Sequence, residues 1–173
     1  MGITSENVAK DFGISRAAQD EFAAQSQQKA AAAQKAGKFR DEIAPIMVKN
    51  EDGTGRLVDK DDGIREGVTK EILAKLKPAF DQNGVTHAGN ASQVSDGAAA
   101  VVLTRRSHAE KLSLPILGKF VASADVGCPP RIMGIGPAVA IPKVLQKTGL
   151  STSDIDIYEV CLGVHSASTL TSV

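Results

Sequence analysis

The first forty residues carry apolar side chains at helical spacing between polar ones. Val8 and Phe12 lie one turn apart, so the pattern predicts a first helix that Ser5 caps and that ends at Phe12. Ser15 is in position to cap a second, longer helix, which runs through an alanine-rich stretch and ends before Gly37. The chain is therefore expected to begin with two successive helices.

The middle of the chain has a different pattern, in which short apolar runs are separated by polar turns. Residues 43–48 predict a strand, residues 52–53 (Asp-Gly) a turn, and residues 57–58 a short returning strand. Further along, Thr69 is expected to cap a short helix that stops at Pro78. This region is expected to have little sheet of its own.

The last third of the chain alternates predicted strands and helices. Residues 98–103, 116–126 and 155–160 are apolar runs typical of buried strands. Between them, Ser107 is expected to cap a short helix, and Pro137 suits the first turn of a longer one. The order strand, helix, strand, helix, strand predicts α/β packing, in which helices cover a sheet.

Composition and charge exclude several classes of protein. The 173 residues suffice for one ordinary domain, and 20 basic side chains balance 20 acidic ones. Nonspecific nucleic-acid binding needs an excess of cationic groups, so no nucleic-acid partner is expected. No apolar run approaches the roughly 20 residues that cross a bilayer. The two cysteines have no CxxC spacing, so we expect neither a metal site nor a disulfide framework.

The most distinctive stretch is residues 88–92 (Ala-Gly-Asn-Ala-Ser), and small side chains continue through residues 95–100. Small side chains in a row allow a ligand or another backbone to approach closely. Gly89 leaves space beside the chain, and Ser92 adds a hydroxyl that can form a hydrogen bond. From these residues alone two interpretations stay open, a ligand-binding loop and a tight turn packed under a helix.

Residues 88–92, together with residues 133–137 (Met-Gly-Ile-Gly-Pro), resemble segments of the thiolase family, most closely the peroxisomal-type 3-ketoacyl-CoA thiolases. Further segments resemble the same family in the same order, and they are residues 1–9 (Met-Gly-Ile-Thr-Ser-Glu-Asn-Val-Ala), 76–80 (Leu-Lys-Pro-Ala-Phe) and 92–97 (Ser-Gln-Val-Ser-Asp-Gly). The resemblance runs from Met1 to about Glu159.

The resemblance implies an α/β fold that is part of the layered αβαβα thiolase fold. Residues 1–90 then correspond to a loop excursion and residues 91–114 to the end of the N-terminal half. Residues 115–160 correspond to the start of the C-terminal half, and residues 161–173 form a tail that departs from the family pattern.

The resemblance also implies an acyltransferase of fatty-acid β-oxidation, which converts 3-ketoacyl-CoA and coenzyme A (CoA) into acyl-CoA and acetyl-CoA. CoA or acyl-CoA is then the substrate, with no permanently bound cofactor. The positions that match CoA-contacting positions of the family are Arg65, Phe80, Ala88, Gly89, Ser92, Val94 and Met133. Arg65 corresponds to the nucleotide end, Phe80 and the loop to the pantetheine arm, and Met133 to the reactive end. Without the family match, Arg65 is a solvated loop charge, and Phe80 and Met133 are ordinary core residues.

The catalytic groups of a thiolase have no match in this sequence. The reaction needs a nucleophilic cysteine, a histidine that activates it, a second cysteine, and an asparagine from an Asn-Glu-Ala-Phe motif. Cys161 and His165 are the right residue types, but they align with no catalytic position. Cys128 is expected to be structural, His87 a loop residue and His108 a solvated helix residue. This chain alone is therefore predicted to be inactive.

The resemblance implies a peroxisomal location, although the usual N-terminal signal is missing from this sequence. It also implies a homo-oligomer or an association with thiolase subunits. Two alternatives to an enzyme segment stay open. One is a non-catalytic module that binds CoA or docks on thiolase subunits. The other is an unstable truncated product, because severed sheets expose edges and apolar faces.

Overall fold

The computed structural model describes residues 1–160 of the chain. The helices and strands, in chain order, are α1 (Gly2–Asp11), α2 (Arg16–Lys35), β1 (Ile46–Lys49), β2 (Gly55–Val58), α3 (Lys70–Ala74), α4 (Arg106–Lys111) and α5 (Gly136–Thr148). Two 3-10 turns, Pro130–Ile135 and Thr152–Asp154, precede and follow α5. Within residues 1–160, no helix is both long and apolar enough to span a bilayer.

The two predicted N-terminal helices are present, and glycine ends each of them. Gly13 and Gly37 have φ values of +65° and +71°, in the left-handed region where glycine is unstrained. The Ser15 hydroxyl accepts a hydrogen bond from the Ala18 N–H at 3.2 Å, which confirms the predicted cap of α2. The predicted cap of α1 is wrong, because α1 begins at Gly2 and therefore contains Ser5 in its interior.

Strands β1 and β2 form an antiparallel hairpin, in which Ile46 pairs with Val58 and Lys49 with Gly55. Gly53 has a φ of +84° and provides the predicted turn. Both strands are largely exposed. The hairpin therefore projects from the molecule and contributes little to the core.

The main apolar cluster lies between α2 and α3. Ala23 and Ala24 on α2 pack against Leu73 on α3, with Val68 at the edge of the cluster. Helix α3 starts where the sequence predicts, because the Thr69 hydroxyl accepts the Ile72 N–H at 3.3 Å. The small alanine side chains allow α3 to approach α2 closely, so this contact fixes the segment that follows α3.

The three buried strands predicted in the last third are not formed within residues 1–160. Val101, Val102 and Leu103 are 80% or more exposed, and no strand is assigned over residues 98–103. A strand needs a neighbouring strand for its backbone hydrogen bonds, and the described residues place none beside these segments. The prediction of strands is therefore wrong for this chain as it stands.

The helices of the last third agree better with the prediction. Helix α5 has Pro137 in its first turn and ends at Gly149, whose φ is +71°. Two lysines of α5 donate to carbonyls of the extended segment before it, Lys143 to Asp125 and Lys147 to Ser123, each at 3.0 Å. Helix α4 is present, but Ser107 lies inside it and makes no cap.

Candidate functional site

The loop that carries the Ala-Gly-Asn-Ala-Ser motif is held at its start by helix α1. The two carboxylate oxygens of Glu6 accept hydrogen bonds at 2.9 Å from the backbone N–H groups of Val85 and Thr86. The Thr86 hydroxyl also pairs with the Ser5 hydroxyl at 2.8 Å, and both side chains are buried. The start of the loop is therefore held by two adjacent side chains of one helix.

A buried carboxylate on α2 holds the centre of the loop. Oδ1 of Asp20 lies 2.7 Å from Nε2 of His87 and accepts from Nδ2 of Asn90 at 3.1 Å. Oδ2 of Asp20 accepts from Nε of Arg16 at 2.7 Å. Asp20, His87 and Asn90 are at most 1% exposed. A buried carboxylate is tolerated only when such donors replace its water, so this network requires all its members.

The His87 ring has a defined tautomer in this arrangement. Its Nδ1 accepts the backbone N–H of Gly89 at 3.0 Å, and a nitrogen that accepts carries no proton. The ring proton is therefore on Nε2, which donates to Asp20. The amide of Asn90 completes the turn, accepting the His87 N–H at 2.8 Å and donating to the Val85 carbonyl at 2.9 Å.

Arg16 connects the same network to the end of α3. One terminal nitrogen of its guanidinium donates to the carbonyl oxygens of Leu73 and Leu76, at 2.8 and 2.9 Å. The side chains of Leu73 and Leu76 also limit which residue can occupy position 89. A Cβ added to Gly89 would lie 2.6 Å from Leu73 and 2.8 Å from Leu76. The second motif residue is therefore glycine because the loop packs directly on α3.

A cleft of about 450 Å³ lies beside this loop. It is lined by Ala23, Ser26 and Gln27 of α2, by residues 61–64, and by Ala91, Ser92, Gln93 and Ser95. Residues 61–65 are held to α2 at both ends, because Nε2 of Gln34 donates to the Asp61 carbonyl at 3.0 Å and Oε1 of Gln27 accepts the Arg65 N–H at 2.9 Å. Small and polar side chains therefore dominate the wall of the cleft.

The structure brings some of the predicted site residues together and leaves others apart. Ala88 and Gly89 lie in the loop that the buried side chains of Asp20, His87 and Asn90 hold in place, and Ser92 lines the cleft. Arg65 follows the cleft segment directly, with an exposed side chain. Val94 is fully exposed between two cleft residues.

Phe80 and Met133 do not line this cleft. The Phe80 ring packs against Gly2 of α1, whereas Met133 lies in the 3-10 turn before α5. They are 47% and 45% exposed, so neither is an ordinary core residue within residues 1–160. Their predicted contact with CoA remains a prediction.

Several residues of the network were not predicted from the sequence. His87 is a loop residue, as expected, but it is completely buried and paired with Asp20.

His108 is exposed on α4, which agrees with the prediction. Cys128 is partly buried and unbridged, and Cys161 and His165 lie outside the described residues. Within residues 1–160 no group of three or more His, Cys, Asp or Glu side chains is arranged to hold a metal ion.

Comparison with known proteins gives matches along almost the whole chain. A family model described as the thiolase N-terminal domain matches residues 1–107, and one described as the thiolase C-terminal domain matches residues 114–171. The peroxisomal 3-ketoacyl-CoA thiolases of Yarrowia lipolytica and Homo sapiens are 61% and 62% identical over 164 residues, covering 92% of this chain. The chain spans 40% and 39% of their respective lengths.

The fold agrees with these matches. The crystal structure of the dimeric peroxisomal thiolase of Saccharomyces cerevisiae superposes with a TM-score of 0.89 at 54% identity. The superposition covers 98% of this chain and 42% of that one. The expectation of a partial α/β thiolase fold is therefore confirmed.

Proposed function

The chain belongs to the thiolase family, and we propose that it is a segment of a 3-ketoacyl-CoA thiolase that binds CoA without catalysing the reaction. The observation that carries this proposal is the loop at residues 85–92, which buried hydrogen bonds fix beside a cleft. A site held in one conformation before the ligand arrives loses less entropy on binding. The network therefore suits a loop that receives a ligand.

Different residues in and beside the cleft suit the pantetheine arm and the nucleotide end of CoA. The small side chains of Ala91 and Ser92 leave room for a narrow pantetheine arm with its amide groups. The guanidinium of Arg65 suits a phosphate or an adenine face. Asp61 and Asp62 also line the cleft and repel phosphate, so the nucleotide is expected on the Arg65 side.

The proposal assigns no catalytic residue to this chain. The family's reaction needs a thiolate nucleophile, an activating histidine and a second cysteine, and no position of this sequence matches them. Because its relatives in Yarrowia lipolytica and Homo sapiens are peroxisomal 3-ketoacyl-CoA thiolases, we expect the complete parent protein to act as one.

Calorimetric titration of the pure chain with CoA tests the binding half of the proposal. The wild type is expected to release or absorb heat with one-site saturation, whereas Ser92→Trp and Arg65→Glu should weaken binding. Matched controls are Ser107→Trp and Arg106→Glu, which make the same changes on exposed α4 and should bind like the wild type. Absence of binding by the wild type would refute this half.

A thiolysis assay tests the catalytic half. With a 3-ketoacyl-CoA and CoA as substrates, no acyl-CoA product should accumulate above the rate without protein. The assay should be validated in parallel with a complete thiolase. Turnover by the pure chain, removed by replacing Cys128 or Cys161 with serine, would contradict the proposed inactivity.

A second candidate function is docking, either on another copy of the chain or on thiolase subunits. It is favoured by the exposed apolar segments, where Val102, Leu117 and Phe120 are 89%, 98% and 71% exposed. Apolar surface of this kind is typical of interfaces, and a related solved structure is a dimeric thiolase.

Sedimentation velocity over a range of concentrations tests this candidate. The wild type is expected to associate as its concentration rises, and Val102→Lys should shift it towards the monomer. Leu57→Lys, which changes an exposed leucine on the hairpin, is the matched control and should associate like the wild type. A wild-type monomer at every concentration, with one sharp thermal transition, would contradict docking between copies.

A further inference from the structure

We propose that His87 is a positioning residue, whose ring holds the loop at residues 85–92 in the conformation that receives CoA by linking Asp20 to Gly89. The inference rests on the proposed CoA binding for its ligand. It adds a residue that is buried and never touches the cleft, since His87 is 0% exposed and is absent from the cleft wall.

The ring connects two parts of the molecule that are far apart in sequence. At one end Nε2 donates to Asp20 on helix α2, and at the other Nδ1 accepts from the backbone of Gly89 in the loop. Only a side chain with a donor at one end and an acceptor at the other can make both contacts. Imidazole in its Nε2–H tautomer meets this requirement within one rigid ring.

The anchor at the far end of this chain of contacts is itself fixed. Asp20 is held by Arg16, and Arg16 donates to two carbonyls at the end of α3. The contacts therefore run from α3 through Arg16, Asp20 and His87 to the Gly89 N–H. The ring therefore fixes the backbone of the loop relative to α2 and α3.

The contact with Gly89 is what distinguishes positioning from simple stabilisation. Gly89 is partly buried, and Nδ1 of the ring is the acceptor for its N–H in the folded chain. If Nδ1 is lost, the N–H is expected to find another partner by moving the loop. Ser92 lies three residues further on and lines the cleft, so such a movement changes the surface offered to CoA.

Two conservative variants separate the two ends of the ring. In His87→Asn the amide places an acceptor near the position of Nδ1 and lacks a donor that reaches Asp20. In His87→Gln the amide reaches towards Asp20 and lacks the acceptor for Gly89. If both contacts are needed, each variant should bind CoA about tenfold more weakly in calorimetric titration, which is the scale of one coupled buried contact.

Stability alone is controlled with Val8→Ala, which removes buried methyl groups from α1 and none of the hydrogen bonds of His87. This variant should lower the melting temperature and leave the CoA dissociation constant of the folded protein unchanged. If the two His87 variants behave in the same way as Val8→Ala, with normal affinity, the positioning role is refuted and CoA binding stands.

Two measurements do not depend on CoA. Hydrogen exchange of the Gly89 amide should be at least about tenfold faster in His87→Gln than in the wild type, because its acceptor is gone. Nitrogen NMR of the His87 ring should show the proton on Nε2. If the wild type fails to bind CoA, the proposed function fails, and these measurements alone judge the role of His87. Unchanged Gly89 exchange, or a proton on Nδ1, would overturn it.

Discussion

Arg131 forms a bidentate ion pair with the carboxylate of Asp11, although the two residues are 120 positions apart in the chain. The bond from Nη2 of Arg131 to Oδ1 of Asp11 is 2.9 Å long, and the Arg131 carbonyl also accepts from the Asn7 side chain at 3.0 Å. Asp11 lies in the range matched by the thiolase N-terminal model and Arg131 in the range matched by the C-terminal one. The pair therefore ties the two matched ranges together.

This ion pair makes stability depend on acidity in a predictable direction. The hydrogen bond from Arg131 holds the pKa of Asp11 below its ordinary value. A carboxylate with a lowered pKa in the folded protein contributes stability above about pH 4, and this contribution is lost as the pH falls through the lower value. In Arg131→Met the pKa of Asp11 should rise to its ordinary range, as carbon NMR of the carboxyl group over a pH series would show.

Asp52 provides an internal control for the same titration. Its pKa is also lowered, but by hydrogen bonds from the Thr54 side chain and backbone at 2.6 and 2.9 Å, far from Arg131 in the sequence. The pKa of Asp52 should therefore be the same in the wild type and in Arg131→Met. An Asp11 pKa that does not change when Arg131 is replaced would mean that the pair is not formed in solution.

Two serines that look alike in the sequence should differ when each is replaced by alanine. Ser15→Ala removes the acceptor for the Ala18 N–H at the start of α2 and should cost about 1 kcal/mol of unfolding free energy. Ser107 makes no cap bond on α4, so Ser107→Ala should stay within about 0.5 kcal/mol of the wild type. Urea unfolding followed by circular dichroism measures both, and equal losses would contradict the assignment of caps.

The elements that were predictable from the sequence are those that depend on nearby residues. The caps at Ser15 and Thr69, and the end of α5 at Gly149, involve side chains and backbone groups within four positions. The strands at residues 98–103 and 116–126 were not predictable in this way. A strand is completed by hydrogen bonds from a distant segment, and its apolar pattern does not show whether that segment is present.

The candidate site likewise contains some residues that could be predicted from the sequence and others that could not. The small residues of the loop were recognisable because residues 88–92 match a family motif, although the reason for glycine at position 89 is its packing against Leu73 and Leu76. The contact between Asp20 and His87 joins positions 67 residues apart, and neither residue has a neighbour in sequence that indicates the other. The role of Glu6 could not be predicted from the sequence either, because its partners are the backbone N–H groups of Val85 and Thr86. Burial and long-range hydrogen bonds are properties of the folded chain.

The small core between α2 and α3 should be sensitive to loss of volume. Leu73 is 3% exposed and packs against Ala23 and Ala24, so Leu73→Ala should cost about 2–3 kcal/mol of unfolding free energy. Its neighbour Ile72 is 50% exposed, and Ile72→Ala, the matched control on the same helix, should cost less than about 1 kcal/mol. If urea unfolding gives equal losses for both variants, α3 does not pack through Leu73.

The space around Gly89 is too small for a side chain. A Cβ at position 89 would approach Leu73 to 2.6 Å, Leu76 to 2.8 Å and the His87 ring to 3.2 Å. Such distances require the loop or α3 to move, so Gly89→Ala should lower the unfolding free energy by about 1–3 kcal/mol. It should also accelerate exchange of the loop amides, since the His87 contact would be displaced.

Gly97→Ala is the control for this substitution, because nothing lies within 4 Å of a Cβ added at position 97. It removes the same backbone freedom from the unfolded chain without a clash, and it should leave stability unchanged or slightly higher. The two variants should be compared by urea unfolding and by hydrogen exchange of the backbone amide at position 89. Equal stability would mean that the loop does not pack on α3 as described, and the network around His87 would then lose its rigid support.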